Sequence, residues 1–369
     1  MFQRVIAKFG TNLLTAGTER LDLEVMANLV GQVARLRRSG AQVIVVTSGA
    51  IAAGRHRLGD LPRRREVPLR QMLSAVGQGY LMQAYDQLFA WHDLVIAQAL
   101  LTRRDLSDRV GYLNARNTLL ALLEVGVVPI VNENDAVAVD EIAEAKIGDN
   151  DTLSALVANL VDADLLAILT NTSGLYTADP HLDPSARLIA RVERIDAGIE
   201  RLAGGAISSR AIGGMITKVR AAKLATASGV NVVIADGHEP AVLERLTAGE
   251  AIGTLFPAAV DQVESRKRWM LSGLSSRGRI FVDSGAARAL REQHKSLLPA
   301  GVVGVDGPFS RGDAVQICEP EGAVIAYGIS NYGDAELDRL RGVRSDRIEE
   351  TLGYTYGAEA IHRNNLVVS

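Results

Sequence analysis

Two lysines stand where a chain can bring a cation to a phosphate. Lys8 closes the apolar run Val5-Ile6-Ala7, two residues before Gly10, and Lys218 follows Gly213-Gly214 in what reads as the first turn of a helix. Glycine lets a ligand approach the backbone, lysine supplies charge, and a helix N-terminus supplies N–H groups. Either lysine alone also fits an ordinary turn. Two acidic and amide clusters accompany them. Asn132-Glu133-Asn134-Asp135 comes directly after the apolar stretch Val127 to Val131, and Gly148-Asp149-Asn150-Asp151 directly before the helical run Thr152 to Val157. A surface loop rich in Asn and Asp is the bland alternative, but two clusters flank one spacer and one of them opens a helix. Cations near the terminal phosphates of a nucleotide, with carboxylates and amides opposite, suit phosphoryl transfer, which depends on charge neutralisation and positioning.

Those residues need a frame that sets strand ends side by side. Val5 to Ala7, Gln42 to Thr47, Leu94 to Ala99, Val127 to Val131, Leu165 to Leu169 and Asn231 to Ala235 read as buried strands. Between them Leu21 to Arg38, Leu69 to Trp91, Tyr112 to Leu123 and Gly213 to Ser228 read as helices. The alternation predicts a largely parallel α/β sheet, whose ligand edge is the carboxyl end of its strands. Ser48-Gly49-Ala50 and Thr170-Asn171 fall on that edge, and Gly174 to Pro180 has turn chemistry. Val242 to Leu246 reads as a late helix, and Gly253 to Pro257 closes the domain. Asp261 to Trp269 is polar and basic and reads as a linker. Beyond it Arg279 to Asp283, Gly301 to Val305, Ala314 to Ile317 and Ala323 to Ala326 are short strands between glycines, with a helix near Ala286 to Gln293, so a small β-rich domain is expected. The expected boundaries are 1–258, a linker 259–274, 275–356, and a tail 357–369.

Bulk properties exclude several classes. At 369 residues, 47% hydrophobic and 22% charged, the chain is long enough for two domains with full cores. A net charge of −3 gives no reason to expect nucleic acid or a membrane surface. One cysteine, Cys318, rules out an internal disulfide and fits a reducing compartment. Six scattered histidines lack ligand spacing, so no protein metal site is expected. The N-terminus runs straight into a strand and no apolar run reaches spanning length, so a cytoplasmic protein is expected. Arg63-Arg64-Arg65 reads as solvated surface. The chain has neither a P-loop nor a dinucleotide-binding fingerprint, and Ser48 lacks the elbow glycine of a hydrolase.

Taken together, Lys8-Phe9-Gly10-Thr11, Val46-Thr47-Ser48-Gly49-Ala50, Asn132-Glu133-Asn134-Asp135, Gly148-Asp149-Asn150-Asp151, Gly174-Leu175-Tyr176-Thr177 and Gly213-Gly214-Met215-x-Thr217-Lys218 resemble the amino acid kinase family along essentially the whole chain. Single motifs are shared with kinases of aspartate, acetylglutamate and uridylate. The combination resembles the branch that phosphorylates the side-chain carboxylate of glutamate, the first step of proline synthesis. Ser310-Arg311-Gly312-Asp313 and Leu352-Gly353-Tyr354 resemble a PUA domain. The resemblance implies a three-layer αβα sandwich around a mainly parallel sheet, plus a small β-rich PUA-like barrel. It implies ATP with Mg²⁺ as donor, L-glutamate as acceptor, L-proline as a feedback inhibitor, and a homo-oligomer. It also implies roles. Lys8 and Lys218 would flank the transferring group and Asp151 would hold both. Thr170, Asn171, Ile212, Gly213, Gly214, Met215, Ile216, Thr217 and Lys218 would bind ATP, with Lys8. Ser48, Asn134, Asp135, Asp149 and Asn150 would hold the amino acid. A glutamate side chain, with a pKa of about 4.3, is already ionised at neutral pH and needs no general base.

The chain departs from the family pattern at Ala211-Ile212, where Gly-Thr is common, at Asn171, where Asp is common, and in a longer spacer from Asp140 to Ala145. Three other readings stand beside the main one. A kinase of the same fold acting on another acceptor is the nearest. An RNA-binding protein is opposed by charge, since Ser276 to Tyr356 holds ten Lys/Arg against twelve Asp/Glu. A non-catalytic amino-acid sensor is opposed by the retention of both lysines.

Overall fold

A computed structural model describes residues 2–59, 66–137, 150–180, 182–204, 214–259, 278–293 and 295–368. The chain divides into two compact units, Met1–Asp108 with Asn114–Gln262, and Arg109–Leu113 with Val263–Ser369. Strands and helices alternate in the first: β1 (Arg4–Phe9), α1 (Thr11–Leu14), α2 (Leu23–Arg38), β2 (Gln42–Val46), α3 (Ala50–Leu58), α4 (Val67–Ala90), β3 (Ile96–Leu101), α5 (Arg103–Ser107), α6 (Arg109–Glu124), β4 (Val128–Glu133), α7 (Asn150–Leu160), β5 (Leu165–Thr170), α8 (Ala197–Gly204), α9 (Met215–Thr226), β6 (Asn231–Asp236), α10 (Val242–Thr247) and β7 (Thr254–Phe256).

The seven strands lie in the order β3-β4-β2-β1-β5-β6-β7. All pairs are parallel except β6 with β7. The stretch Gly253 to Pro257, read only as a domain end, contributes β7. Three residues are too few for a periodic signal. From β1 the chain first builds the sheet to one side, then crosses from β4 to β5 on the other. β1 is therefore the switch point, where a crevice opens at the carboxyl ends of the strands. Side chains alternate along β1. Val5, Ala7 and Phe9 join the core formed with α2, α4 and α10. Ile6 and Lys8 take the opposite face, the one against which α7 packs. A lysine at this register is thereby sent into the layer that holds the helix of Asp151.

Local sequence fixes the helices that matter. Asp22 caps α2 by accepting from the backbone N–H groups of Glu24 and Val25 at 3.0 and 3.1 Å, worth about 1 kcal/mol. Its stripe Met26, Leu29, Val30, Val33 and Leu36 is buried. α3 and α4 cross at Gly54 and Gly77. A Cβ at Gly54 would lie 1.9 Å from the carbonyl oxygen of Leu73, and one at Gly77 would lie 1.8 Å from that of Ala50. Only glycines let the two backbones touch.

The second unit holds β8 (Arg279–Val282), α11 (Ser284–Gln293), β9 (Val302–Asp306), β10 (Ala314–Cys318), β11 (Val324–Ile329), α12 (Asp334–Arg339), α13 (Ile348–Leu352) and β12 (Leu366–Val368). Its sheet runs β12-β11-β10-β8-β9. The core is its own, built on Ile280, Val282, Val315, Ile317, Ile325, Tyr332 and Leu337. The stretch from 357 onward, expected to be a tail, instead supplies β12, which pairs antiparallel with β11. Leu366-Val367-Val368 is apolar enough to add a strand, but too short to announce one. Arg63 to Arg65, the spacer Asp140 to Ala145, Ala211-Ile212 and nearly all of the expected linker lie outside the described residues. Among the described residues no helix is long and apolar enough to cross a membrane.

Candidate active site

The carboxyl edge of the sheet encloses a cavity of about 540 Å³ within the first unit, in the size range of small-molecule sites. Three charged side chains form its centre. Lys8 from β1 is ion-paired with Asp151 Oδ1. Lys218 from α9 donates to Asp151 Oδ2 at 3.1 Å, and the Thr217 hydroxyl donates to the same oxygen at 2.7 Å. Lys8, Asp151 and Lys218 are exposed by only 4, 2 and 7%, so bulk water does not solvate them and pairing must. Burial alone would push the Asp151 carboxyl up. The charges of Lys8 and Lys218, with hydrogen bonds from Lys8 and Thr217, outweigh it and hold the carboxyl well below the ordinary range. Two cations against one anion leave the cluster at +1, which suits a polyanion.

Two helix N-termini open onto this centre. α7 begins at Asn150 with Asp151 in its first turn. α9 begins at Met215 after an extended Gly214, and among the described residues no side chain caps it. Its first N–H groups are therefore unclaimed by a cap, as at phosphate-binding helix ends. The two helices pack on each other, which brings Lys218 to the carboxylate of Asp151.

One end of the cavity carries Ser48, Gly49, Ala50, Asn132, Asp135 and Asn150. Gly49 has φ +100°, open to glycine without strain, and this turns β2 into the N-terminus of α3. Asn150 Nδ2 donates to Ser48 Oγ at 3.1 Å. Ser74 Oγ donates to Asp135 Oδ2 at 3.0 Å, and Asn132 Nδ2 donates to Gln78 Oε1 at 2.8 Å. Thr47 Oγ1 and Tyr85 Oη are hydrogen-bonded at 2.8 Å. Carboxylate Asp135 can accept an ammonium, while the α3 N-terminus can donate to a carboxylate.

The other end combines turns and glycines with a few larger side chains. Thr170 and Asn171 leave β5, with Thr170 Oγ1 donating to Asn171 Oδ1 at 3.3 Å. Gly174 has φ +147°, and a Cβ there would meet Thr254 Oγ1 at 2.4 Å. Thr254 holds this turn by accepting from Leu175 N–H at 2.8 Å. Tyr176, Ala178, Asp179, Ala203, Gly204, Gly214 and Met215 complete the wall.

Of the residues expected to form a site, Lys8, Ser48, Asp135, Asn150, Asp151, Thr170, Asn171, Gly214, Met215, Thr217 and Lys218 line this one cavity. Asn134 and Ile216 flank it without lining it. Asp149, Ile212 and Gly213 lie outside the described residues. Sequence reading missed Asn12, Tyr176, Asp179 and the α8 wall. It also missed Ser74 and Gln78, polar residues one turn apart on a long helix whose sequence does not mark which face is buried.

The sequence matches the model of the Amino acid kinase family over residues 3–236. The chain belongs to the amino acid kinase family. Use of ATP comes with that membership. Residues 278–352 match the PUA domain model. Among curated members, glutamate 5-kinase of Dehalococcoides mccartyi (strain ATCC BAA-2266 / KCTC 15142 / 195) is 55% identical over 100% of this chain and 98% of that protein. Glutamate 5-kinase of Herpetosiphon aurantiacus is 53% identical with the same coverage. Glutamate 5-kinase of Shewanella amazonensis is 49% identical over 100% of this chain and 96% of its own. A solved UMP kinase from Bacillus anthracis superposes with a TM-score of 0.49 at 13% identity, covering 70% of this chain and 97% of that one.

Proposed function

We propose that the chain transfers the γ-phosphoryl group of ATP to the side-chain carboxylate of L-glutamate, giving ADP and L-glutamyl 5-phosphate, the first step of proline biosynthesis. The observation that carries this reading is the buried Lys8–Asp151–Lys218 cluster between two chemically different cavity ends. Full-length likeness to several glutamate 5-kinases supports the substrate.

In this reading Ser48, Asn134, Asp135, Asp149 and Asn150 hold the amino acid, with Asp135 taking its ammonium. Thr170, Asn171 and Ile212 to Lys218 hold ATP. The glutamate carboxylate, already ionised, attacks the γ-phosphorus in line. Lys8 and Lys218 neutralise the charge of the transferring group, and Asp151 keeps both ammonium groups aimed at it. No proton has to be removed, so the absence of histidine from the cavity lining among the described residues is no obstacle.

Mg²⁺ fits as a companion of the nucleotide. Asp151 is engaged by both lysines, and among the described residues no cluster of three His, Cys, Asp or Glu could hold a metal by itself. Mg²⁺ commonly binds through substrate phosphates and water, and bound there it would neutralise phosphate charge.

The test is to trap the product. Incubation with ATP, Mg²⁺, L-glutamate and hydroxylamine should give a glutamate-dependent hydroxamate, with aspartate, N-acetylglutamate and UMP run in parallel. ADP release with another acceptor alone would overturn the substrate.

The same reading includes inhibition by L-proline, which shares an α-carboxylate and amine with glutamate. An unchanged glutamate affinity at saturating proline would count against overlap. A homo-oligomer is proposed by analogy with the family, and sedimentation velocity tests it. The acidic balance of residues 276–356 argues against RNA as a partner of the PUA unit, which a filter-binding assay checks. A cytoplasmic location completes the reading, and cell fractionation tests it.

A further inference from the structure

α4 presents one polar stripe to the amino-acid end of the cavity. Ser74 and Gln78 are one turn apart and both are buried, at 4 and 8% exposure. Ser74 Oγ donates to Asp135 Oδ2 at 3.0 Å, and Gln78 Oε1 accepts from Asn132 Nδ2 at 2.8 Å. Asn132 Oδ1 in turn accepts from the Glu133 N–H at 2.9 Å. Asp135 itself sits beyond the end of β4, in a turn closed by the Val137 N–H donating to the Asn134 carbonyl at 3.1 Å. Such a turn does not by itself set the rotation of a carboxylate. α4, by contrast, is fixed against α3 by the backbone crossing at Gly54 and Gly77, and α3 begins at Ser48-Gly49-Ala50. The groups suited to an ammonium and those suited to a carboxylate are thus referred to the same helix pair.

We propose that Ser74 is a positioning residue that sets acceptor specificity: by holding Asp135 Oδ2 from α4, it aims the other carboxylate oxygen at the substrate ammonium and fixes how far the substrate side chain must reach to Lys8. This rests on the reading of Asp135 as the ammonium's partner. With Asp135 held, an acceptor one methylene shorter cannot engage both the ammonium site and the lysines. When the directed bond from Ser74 is lost, that discrimination weakens, because small misplacements of a reacting group are costly and a single methylene is otherwise poorly distinguished.

The experiment measures steady-state hydroxamate formation for the full chain and for Ser74→Ala, Ser74→Thr, Asp135→Ala and the Ser74→Ala/Asp135→Ala pair, with thermal unfolding of each. Loss of one intramolecular hydrogen bond, which reaches the ligand only through Asp135, predicts that Ser74→Ala raises KM for glutamate roughly fivefold to tenfold. KM for ATP and kcat should stay nearly unchanged, and the preference for glutamate over aspartate should narrow. Ser74→Thr, which keeps the hydroxyl, should recover most of the affinity. In the Asp135→Ala background the serine substitution should add nothing. A raised KM in Asp135→Ala with an unchanged KM in Ser74→Ala overturns this proposal alone. An unchanged KM in Asp135→Ala overturns the placement of the ammonium and this proposal with it. Parallel losses in kcat and both KM values, with a lowered unfolding midpoint, would make Ser74 merely structural and also overturn it.

Discussion

The two ends of the cavity are built by opposite means. At the end proposed to hold the amino acid, side chains from separate elements bond to one another: Ser74 to Asp135, Gln78 to Asn132, Asn150 to Ser48 and Thr47 to Tyr85. At the other end, which we propose holds the nucleotide, Gly174, Ala178, Ala203, Gly204 and Gly214 bring backbone to the cavity among larger side chains such as Leu175, Tyr176 and Leu202. A small zwitterion offers few atoms, so a site for it must place each polar group accurately and brace it. A nucleotide offers phosphates that any row of N–H groups can hold, so close approach matters more than side-chain identity. Braced side chains suit selection among acceptors, and bare backbone suits capture of a polyanion.

Substitutions can break or sharpen this contrast. The largest effect belongs to neither end. Lys8→Ala and Lys218→Ala should each lower kcat by about 10²- to 10³-fold, read from ADP release at saturating substrates. A near-normal kcat in either would remove the centre that divides the ends. Next comes Gly77→Ala, which places a methyl 1.8 Å from the Ala50 carbonyl oxygen. It should push α3 from α4, cost about 1–3 kcal/mol of stability, and raise KM for glutamate more than KM for ATP. Equal changes in both would mean that the helix pair does not serve the amino-acid end. Gly174→Ala should do the converse, raising KM for ATP several-fold through strain of about 1–3 kcal/mol. A shift confined to glutamate would reverse the assignment of the ends.

The smallest effect is in pH. The Asp151 carboxyl lies below its ordinary value in the folded chain, so its contribution to stability is complete above the unfolded value, about 3.9, and drains away as pH falls below it. Denaturant unfolding of the protein and of Asp151→Asn should therefore show a stability gap that shrinks as pH falls through about 4. A gap that stays constant from pH 7 to pH 3 would show that the carboxylate is not the origin of the difference.

The contrast also explains what could be read in advance. Lys8, Lys218 and Asp151 stood out in combination, as two lysines near glycines and an acidic and amide run opening a helix. Each alone also fits an ordinary turn or helix start, and their pairing was implied only by the family resemblance. The parallel sheet was legible because its strands are apolar throughout, as strands covered on both faces must be. Ser74 and Gln78 were not, because each looks like an ordinary polar residue in a long helix, and only the fold shows which face is turned inward. β7 and β12 were missed for another reason. Three-residue strands carry no period, and their pairing is decided by partners far along the chain. Thr254 was invisible for the same cause, since its contact joins β7 to the turn at Leu175, 79 residues earlier in the chain.

The order of strands in the sheet has a consequence for how the protein is made. β1 lies between β2, which follows within the first 46 residues, and β5, which begins at Leu165. As the chain emerges from a ribosome, β3, β4, β2 and β1 can assemble first, with β1 as an open edge and Lys8 still bathed in water. Asp151 emerges ahead of β5, the strand that closes that edge. The lysine can thus meet its counter-ion as α7 docks over it, before β5 closes the edge. In this sequence of events the nascent fold never has to bury a lone charge, and the later arrival of Lys218 completes a site whose carboxylate is already in place.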